Sequence, residues 1–287
     1  MVLESLINPR KAEAKPLELF FIGLIYSSVA MFLSLWIFKD QASLVMVFLT
    51  VVASIPLIYH TLKYEEKKDK IITNEISLLK EHAKAIAFFT FLFLGFVVAY
   101  SIWFVFLPAD ITQATFNTQL NTIQTINSRI TSGTVSFAVS SSDLFGRIFA
   151  NTIKVMLFVF LFSFFYGAGA IFILTWNASV IAAAVGTFVR NNLGSYAESV
   201  GLIKIAGYFH IGSLGLFRYM IHGIPEIVAY FIVALAGGII SVAVINHDLA
   251  GKNFKRIMND SLILTVLAVL VLFIAALLEV YLTPALF

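Results

Sequence analysis

Several apolar runs of 18 or more residues constrain this chain more than anything else in it. Ser261–Leu282 is one such run, with no charged residue before Glu279. A helix of about 20 apolar residues crosses a hydrocarbon core of ~30 Å. Inside that core each backbone group needs a partner from its own segment, which a helix supplies. Only 12% of the 287 residues are charged and 60% are hydrophobic, against roughly a quarter charged in soluble domains. The fold class expected is therefore all-α: a polytopic transmembrane helical bundle.

In chain order, Leu17–Phe38 reads as span 1, opened by Pro16. After the turn Lys39–Gln41, span 2 covers Ala42–Tyr59. His60–Lys84 reads as a charged loop, Asn74–Lys84 being a helix that feeds span 3, Ala85–Leu107. Its lysines, Lys63, Lys67, Lys68, Lys70, Lys80 and Lys84, are expected on a solvated face, with a docking surface as the second reading. Pro108–Arg147 is polar and sparsely charged, too small for a core of its own. Thr112–Ile130 is expected to form a helix across the membrane face. Span 4 is placed at Phe149–Trp176. The pattern then breaks. Asn177–Arg190 is short for a crossing, and Val200–Phe217 is interrupted by Lys204, His210 and four glycines. Region 177–217 is accordingly expected to be short or re-entrant: Asn177–Arg190 is assigned the one crossing, span 5, and Val200–Phe217 lies in or dips into the outer interface. Span 6 covers Tyr219–Ile245 and span 7 Ser261–Leu282, about seven in all. Met1–Asn8 is mildly amphipathic and suits an interfacial helix. Two parts result: residues 1–84 (interfacial segment, hairpin and basic loop) and residues 85–287 (membrane core with the external loop 108–147).

Arg10, Lys11 and Lys15, the lysines between spans 2 and 3, and Lys252, Lys255 and Arg256 all fall on one side if the amino terminus is cytoplasmic. The carboxyl terminus is then external. The net charge of +3 is thus distributed for a membrane, and no nucleic-acid partner is expected. The chain has no cysteine, which excludes disulfides and thiolate metal sites.

Within the spans, His222 and Glu226 lie four residues apart and share a helical face. On this topology Glu226 sits roughly 10 Å from the outer end of span 6 at 1.5 Å per residue. Asn151, Lys154 and Glu279 fall at similar depth in their own spans. These five are expected to form an outer-leaflet polar layer in which pairing of Lys154 with Glu226 or Glu279 would offset much of a burial cost of ~2.5–3.5 kcal/mol per charge; snorkelling of Lys154 and of Glu279 to the headgroups is the competing reading. An interhelical hydrogen-bond cluster is the leading role for His222 and Glu226. A metal there needs a third ligand, with only His210 or Glu279 near, and the second histidine of His-Glu-x-x-His is missing. No metal, cofactor or catalytic residue is expected. Gly167 and Gly169 suit close helix approach, Asn177 a helix cap, and Pro225 the first turn of a helix starting near Gly223.

The run from span 4 onward resembles the stage II sporulation protein M family. The residues that carry the likeness are Phe149-Ala150-Asn151, Gly167-Ala168-Gly169, Asn177 with Gly186, and His222-Gly223-Ile224-Pro225-Glu226 with Ala236-Gly237-Gly238. The likeness covers roughly residues 85–245. Two departures stand out: the family commonly has Pro-His-Gly where this chain has Ile221-His222-Gly223, and Asn-Gly where it has Asn177-Ala178. The leading hairpin and Glu4–Arg10 look like the longer archaeal members. In endospore-forming bacteria the family member belongs to a membrane complex that remodels peptidoglycan during engulfment and is not itself a hydrolase; archaeal relatives have no such wall. What the resemblance implies is a non-enzymatic membrane protein that positions membrane or envelope partners. A small-solute or ion transporter with a polar site around His222 and Glu226 is the competing reading, motivated by the broken region. A homodimer packed through glycine faces is compatible with both.

Overall fold

The computed structural model describes residues 15–134, 141–164, 167–193, 202–246 and 252–286. These residues contain helices and turns and no strand. Met1–Asn8, Arg10 and Lys11 lie outside them.

Helix α1, Pro16–Ile37, leads through a short 3-10 turn at Lys39–Gln41 into α2, Ala42–Ile71. Three residues later α3 runs over Glu75–Phe106, with the Asn74 side chain accepting a hydrogen bond from the Ser77 amide as N-cap. At 1.5 Å per residue α2 and α3 are ~45 Å long, longer than the ~30 Å that a hydrocarbon core requires. Their charged ends, beyond Tyr59 and before Ala85, extend past the apolar segments. What the sequence reads as a charged loop is two helix ends joined by a tight turn. The reason is a stripe: Ile58, Leu62, Glu65 and Asp69 are all buried at helical spacing, as are Leu78, His82 and Ala85 on α3.

Helix α4, Ala109–Thr134, is the helix expected in the polar segment. It buries Thr112, Thr115, Phe116 and Gln119. Phe116 packs edge-on against Tyr100 and Phe104 of α3. Gln119 donates to the Ser43 carbonyl of α2 and reaches Ser179 in α6, Ala168–Leu193. Arg190 of α6 donates to the Val105 and Leu107 carbonyls and to the Thr112 hydroxyl. A cation thus meets the partly negative carboxyl end of α3 and ties α4 to it.

Two expected boundaries are corrected. The apolar run 149–176 is not one span. Helix α5, Ser141–Ser163, ends before Gly167, whose φ of +74° is left-handed backbone that glycine adopts without strain. The break leaves few backbone groups unpaired: Gly167 N–H reaches the Ser163 carbonyl and Ser241 Oγ donates to the Phe164 carbonyl. Asn177 is therefore an interior residue of α6 and not a cap. The described parts of region 177–217 belong to two long helices. Residues 177–193 complete α6, and 202–217 open α7, Leu202–Ile245, a 44-residue helix. Pro225 sits inside α7, not in a first turn. The glycines misled because a helix supplies its own backbone hydrogen bonds and tolerates them singly, at a cost of ~1 kcal/mol each.

Helix α8, Lys252–Leu277, passes through a π turn at Leu278–Leu282 into the short α9, Thr283–Leu286. Among the described residues seven helices are long and apolar enough to cross a membrane: α1, α2, α3, α5, α6, α7 and α8 with its extension. The apolar part of α7 is the most enclosed and that of α5 the least, so α7 is the core element. Phe231 of α7 stacks on Phe89 of α3, and Tyr230, Val233, Leu235, Ala236 and Ile239 are buried around it. Helix α1 crosses α3 at Gly23 and Gly95, where a Cβ on either glycine would collide with the other helix's backbone. Large apolar side chains such as Phe21, Trp36, Phe106, Leu161 and Leu270 cover the outer surface. That is the surface a lipid-facing bundle needs, and an aqueous one would not tolerate it.

Candidate functional site

Ionisable side chains gather in two places, one at each end of the bundle. At the end where α3 stops and α8 gives way to its π turn, α7 presents His222, Glu226 and Tyr230 at four-residue spacing. The Tyr230 hydroxyl donates to Glu226 Oε1 at 2.5 Å. Glu279 lies in the π turn, which packs against α7. His222 Nδ1 stands 3.2 Å from the Thr283 hydroxyl. That hydroxyl donates to the Leu278 carbonyl, so the ring nitrogen is the donor to Thr283. His222, Glu226 and Glu279 are all half-buried.

The structure thus brings together three of the five residues of the expected polar layer and leaves two out. Asn151 and Lys154 are exposed on α5, and among the described residues Lys154 makes no ion pair. Helix α5 turns Thr152, Met156, Val159 and Ser163 inward, which directs Asn151 and Lys154 away. Tyr230, buried and unforeseen, takes the place beside Glu226 that Lys154 was expected to hold; its i+4 spacing from Glu226 was the available signal.

The small residues picked out in the sequence divide likewise. A Cβ on Gly169 would press on Phe162, on Gly186 on the Phe104 ring, on Gly237 on the Ser163 hydroxyl and on Gly238 on Leu62. Gly223 meets nothing closer than a methionine methyl at 3.9 Å. A small cavity under Gly167, lined by Ile58, Leu62, Phe89 and Phe231, is apolar and holds about 20 Å³, room for roughly one water.

The opposite end holds a network that the sequence reading missed. His82 of α3 is fully buried between carboxylates from two other helices. Its Nδ1 stands 2.7 Å from Glu65 Oε2, and its Nε2 stands 3.0 Å from Asp260 Oδ2 and 3.1 Å from Asp69 Oδ1. Glu65 also accepts from Lys68 at 2.6 Å, and Lys68 reaches Glu81 at 3.3 Å. Glu66, buried too, pairs with Lys70 at 2.6 Å and accepts from Asn246 at the end of α7. Four helices are tied by side chains that composition would assign to solvent. Burial opposes a charge on His82, but hydrogen bonds to Asp260, Asp69 and Glu65 override it and push the ring up to about 11. Burial pushes the Asp69 carboxyl up to about 6 against the pull of His82. Glu81, nearer solvent, is held below the usual carboxylate range chiefly by its hydrogen bond from Lys84. The signal available beforehand was the continuation of the apolar stripe Ile58–Leu62 into Glu65 and Asp69.

The sequence pattern of the family described as Stage II sporulation protein M matches residues 85–284. The match runs from the apolar part of α3 to α9, further than the motifs that first suggested it. It includes Glu226, Glu279 and Asp260 and leaves out Glu65, Asp69 and His82. No curated protein and no solved structure matches the chain.

Proposed function

This chain belongs to the stage II sporulation protein M family, and from that premise we propose that it is a non-enzymatic scaffold of the cell membrane. In this reading it holds membrane or envelope partners in place and transforms no substrate. The observation that carries it is how the interior ionisable groups are used. His82 is bonded to carboxylates of α2 and α8 and His222 of α7 to Thr283 of α9, while Glu226 is satisfied within α7 by Tyr230. Such contacts supply the cohesion that apolar side chains cannot supply in lipid, where tails are as apolar as leucine. The cavity beneath Gly167 is too small for a solute.

The amino terminus is cytoplasmic in this proposal. Lys63, Lys67, Lys80 and Lys84 are exposed around the α2–α3 turn, and positive residues favour the cytoplasmic side. That turn and the exposed face of α4 are the surfaces offered to partners, on opposite sides of the membrane. Cross-linking in native membranes followed by copurification tests the scaffold: a partner retained at fixed stoichiometry is expected.

One observation favours transport instead. Two half-buried carboxylates, Glu226 and Glu279, lie within the spans on elements that pack against each other, Glu279 in a π turn. π turns recur at functional sites. Purified protein in liposomes decides between the two. The scaffold predicts no ion or solute flux above protein-free vesicles. A flux abolished by Glu226→Gln in a folded variant would replace it.

A further inference from the structure

We infer that Asp69, His82 and Asp260 form a binding site for a divalent first-row transition-metal cation that staples α2, α3 and α8 together. The inference does not depend on the scaffold reading, since a transporter could carry the same staple. The three side chains each offer one ligand atom, and these atoms all lie within 4.8 Å of one another. His82 Nε2 is 3.0 Å from Asp260 Oδ2 and 3.1 Å from Asp69 Oδ1. An ion with bonds of about 2.0–2.2 Å holds neighbouring ligands about 3 Å apart at right angles. The spacing between ring and carboxylates already suits it.

A second observation points to a ligand. Asp69 is fully buried, and its Oδ2 receives no hydrogen bond among the described residues, nor does Asp260 Oδ1; Asp69 Oδ1 has only its share of the His82 ring nitrogen. Buried carboxylate oxygens are ordinarily bonded or metal-bound. Nε2 has one proton to share between Asp260 Oδ2 at 3.0 Å and Asp69 Oδ1 at 3.1 Å, and it cannot satisfy both. A divalent ion on Nε2 would take the place of the ring proton there, which passes to solvent. The Nδ1 proton stays on the ring and is donated to Glu65, giving the carboxylate–histidine–metal arrangement that orients ligating imidazoles. One nitrogen with carboxylate oxygens selects ions such as Mn²⁺, Fe²⁺ or Zn²⁺ over soft, thiolate-seeking ones. The α2–α3 turn at Ile72–Asn74 lies one helical turn from Asp69, at the charged end of the helices, and gives the ion its way in.

The test uses the full chain in detergent, stripped with a chelator and then dialysed against Mn²⁺ or Zn²⁺. About one ion per chain is expected to remain. Asp69→Asn and Asp260→Asn should each weaken binding more than tenfold, while Glu81→Gln, on the more exposed neighbouring carboxylate, should not. Bound Mn²⁺ should show imidazole-nitrogen coupling in its electron paramagnetic resonance, and His82→Gln should lose it. If those variants fail to fold, the wild-type chain still decides: a saturable rise in thermal midpoint with Mn²⁺ supports the site. Binding no stronger than in Asp69→Asn, or no rise and no nitrogen coupling in the wild type, would overturn it.

Discussion

At the scale of single residues the helix contacts are close enough to give sharp expectations. Gly23 and Gly95 let α1 and α3 approach until backbone meets backbone. Gly95→Ala should therefore force the helices apart and cost about 1–3 kcal/mol, the usual range for overpacking, seen as a lowered thermal midpoint in detergent. Gly212 is the control: a Cβ there meets nothing within 4 Å. Gly212→Ala should be neutral or stabilise by up to about 1 kcal/mol, through the lost backbone freedom of the unfolded chain. Equal losses at both positions would mean that general helix chemistry, not the crossing, sets the effect. Arg190 gives a different kind of expectation. Its guanidinium is bonded to the carbonyls of Val105 and Leu107 and to Thr112. Arg190→Ala should cost about 1.5–3 kcal/mol, as hydrogen bonds to charged groups do. Amide exchange should rise selectively over the first turns of α4.

At the scale of elements the buried network decides how α2, α3 and α8 meet. Removing one member of a buried ion pair leaves the other charge uncompensated, typically at a cost of 3–5 kcal/mol. Glu65→Ala strands Lys68 and takes the Nδ1 partner from His82. It should lower the thermal midpoint far more than Lys63→Ala, on an exposed lysine of the same helix. Comparable midpoints for the two variants would show that the network contributes no cohesion. This is also where the sequence was least legible. The apolar segments announce themselves by length alone, and all seven long apolar helices were there to be counted. Helix ends were harder: Gly167 ends α5 inside an unbroken apolar run, whereas Gly207, Gly212 and Gly215 interrupt nothing in α7. What separates them is a left-handed backbone at Gly167, a tertiary property that composition does not encode. His82 and Asp69 lie unmarked in the stretch 60–84, whose lysines are expected on a solvated face, because hydropathy scores a side chain by type. Their burial depends on partners 17 and 178 positions away in the chain. His222 and Glu226 were found because their own helix spacing places them on one face. Lys154 was misplaced because depth in a span was estimated while rotation about its axis was not.

At the scale of the whole molecule the arrangement of ends follows from continuity. With α1 beginning on the lysine side, α2 returns to it, α3 leaves it, and α4 stays at the far end because it packs on Ser43, Phe104 and Ser179. Helices α5 to α8 then alternate, which puts Asn246 back beside Glu66 and leaves α9 on the side of α4. The absence of cysteine makes this order measurable without a prior background substitution. A single cysteine at Thr73, exposed in the α2–α3 turn, should react with a membrane-impermeant maleimide only after the cell is opened. One at Asn121, exposed on α4, should react on intact cells, as should one at Ala285 in α9. Labelling of Thr73→Cys from outside, with Asn121→Cys protected, would invert the molecule. The bundle would keep its packing, but the basic end would face out, and partners sought at the α2–α3 turn would have to be extracellular. Labelling of Asn121→Cys and Ala285→Cys from opposite sides would be the more serious result. The four crossings α5 to α8, an even number, cannot then connect them, and the antiparallel pairing of α7 with α8 that brings the π turn against α7 would have to be abandoned.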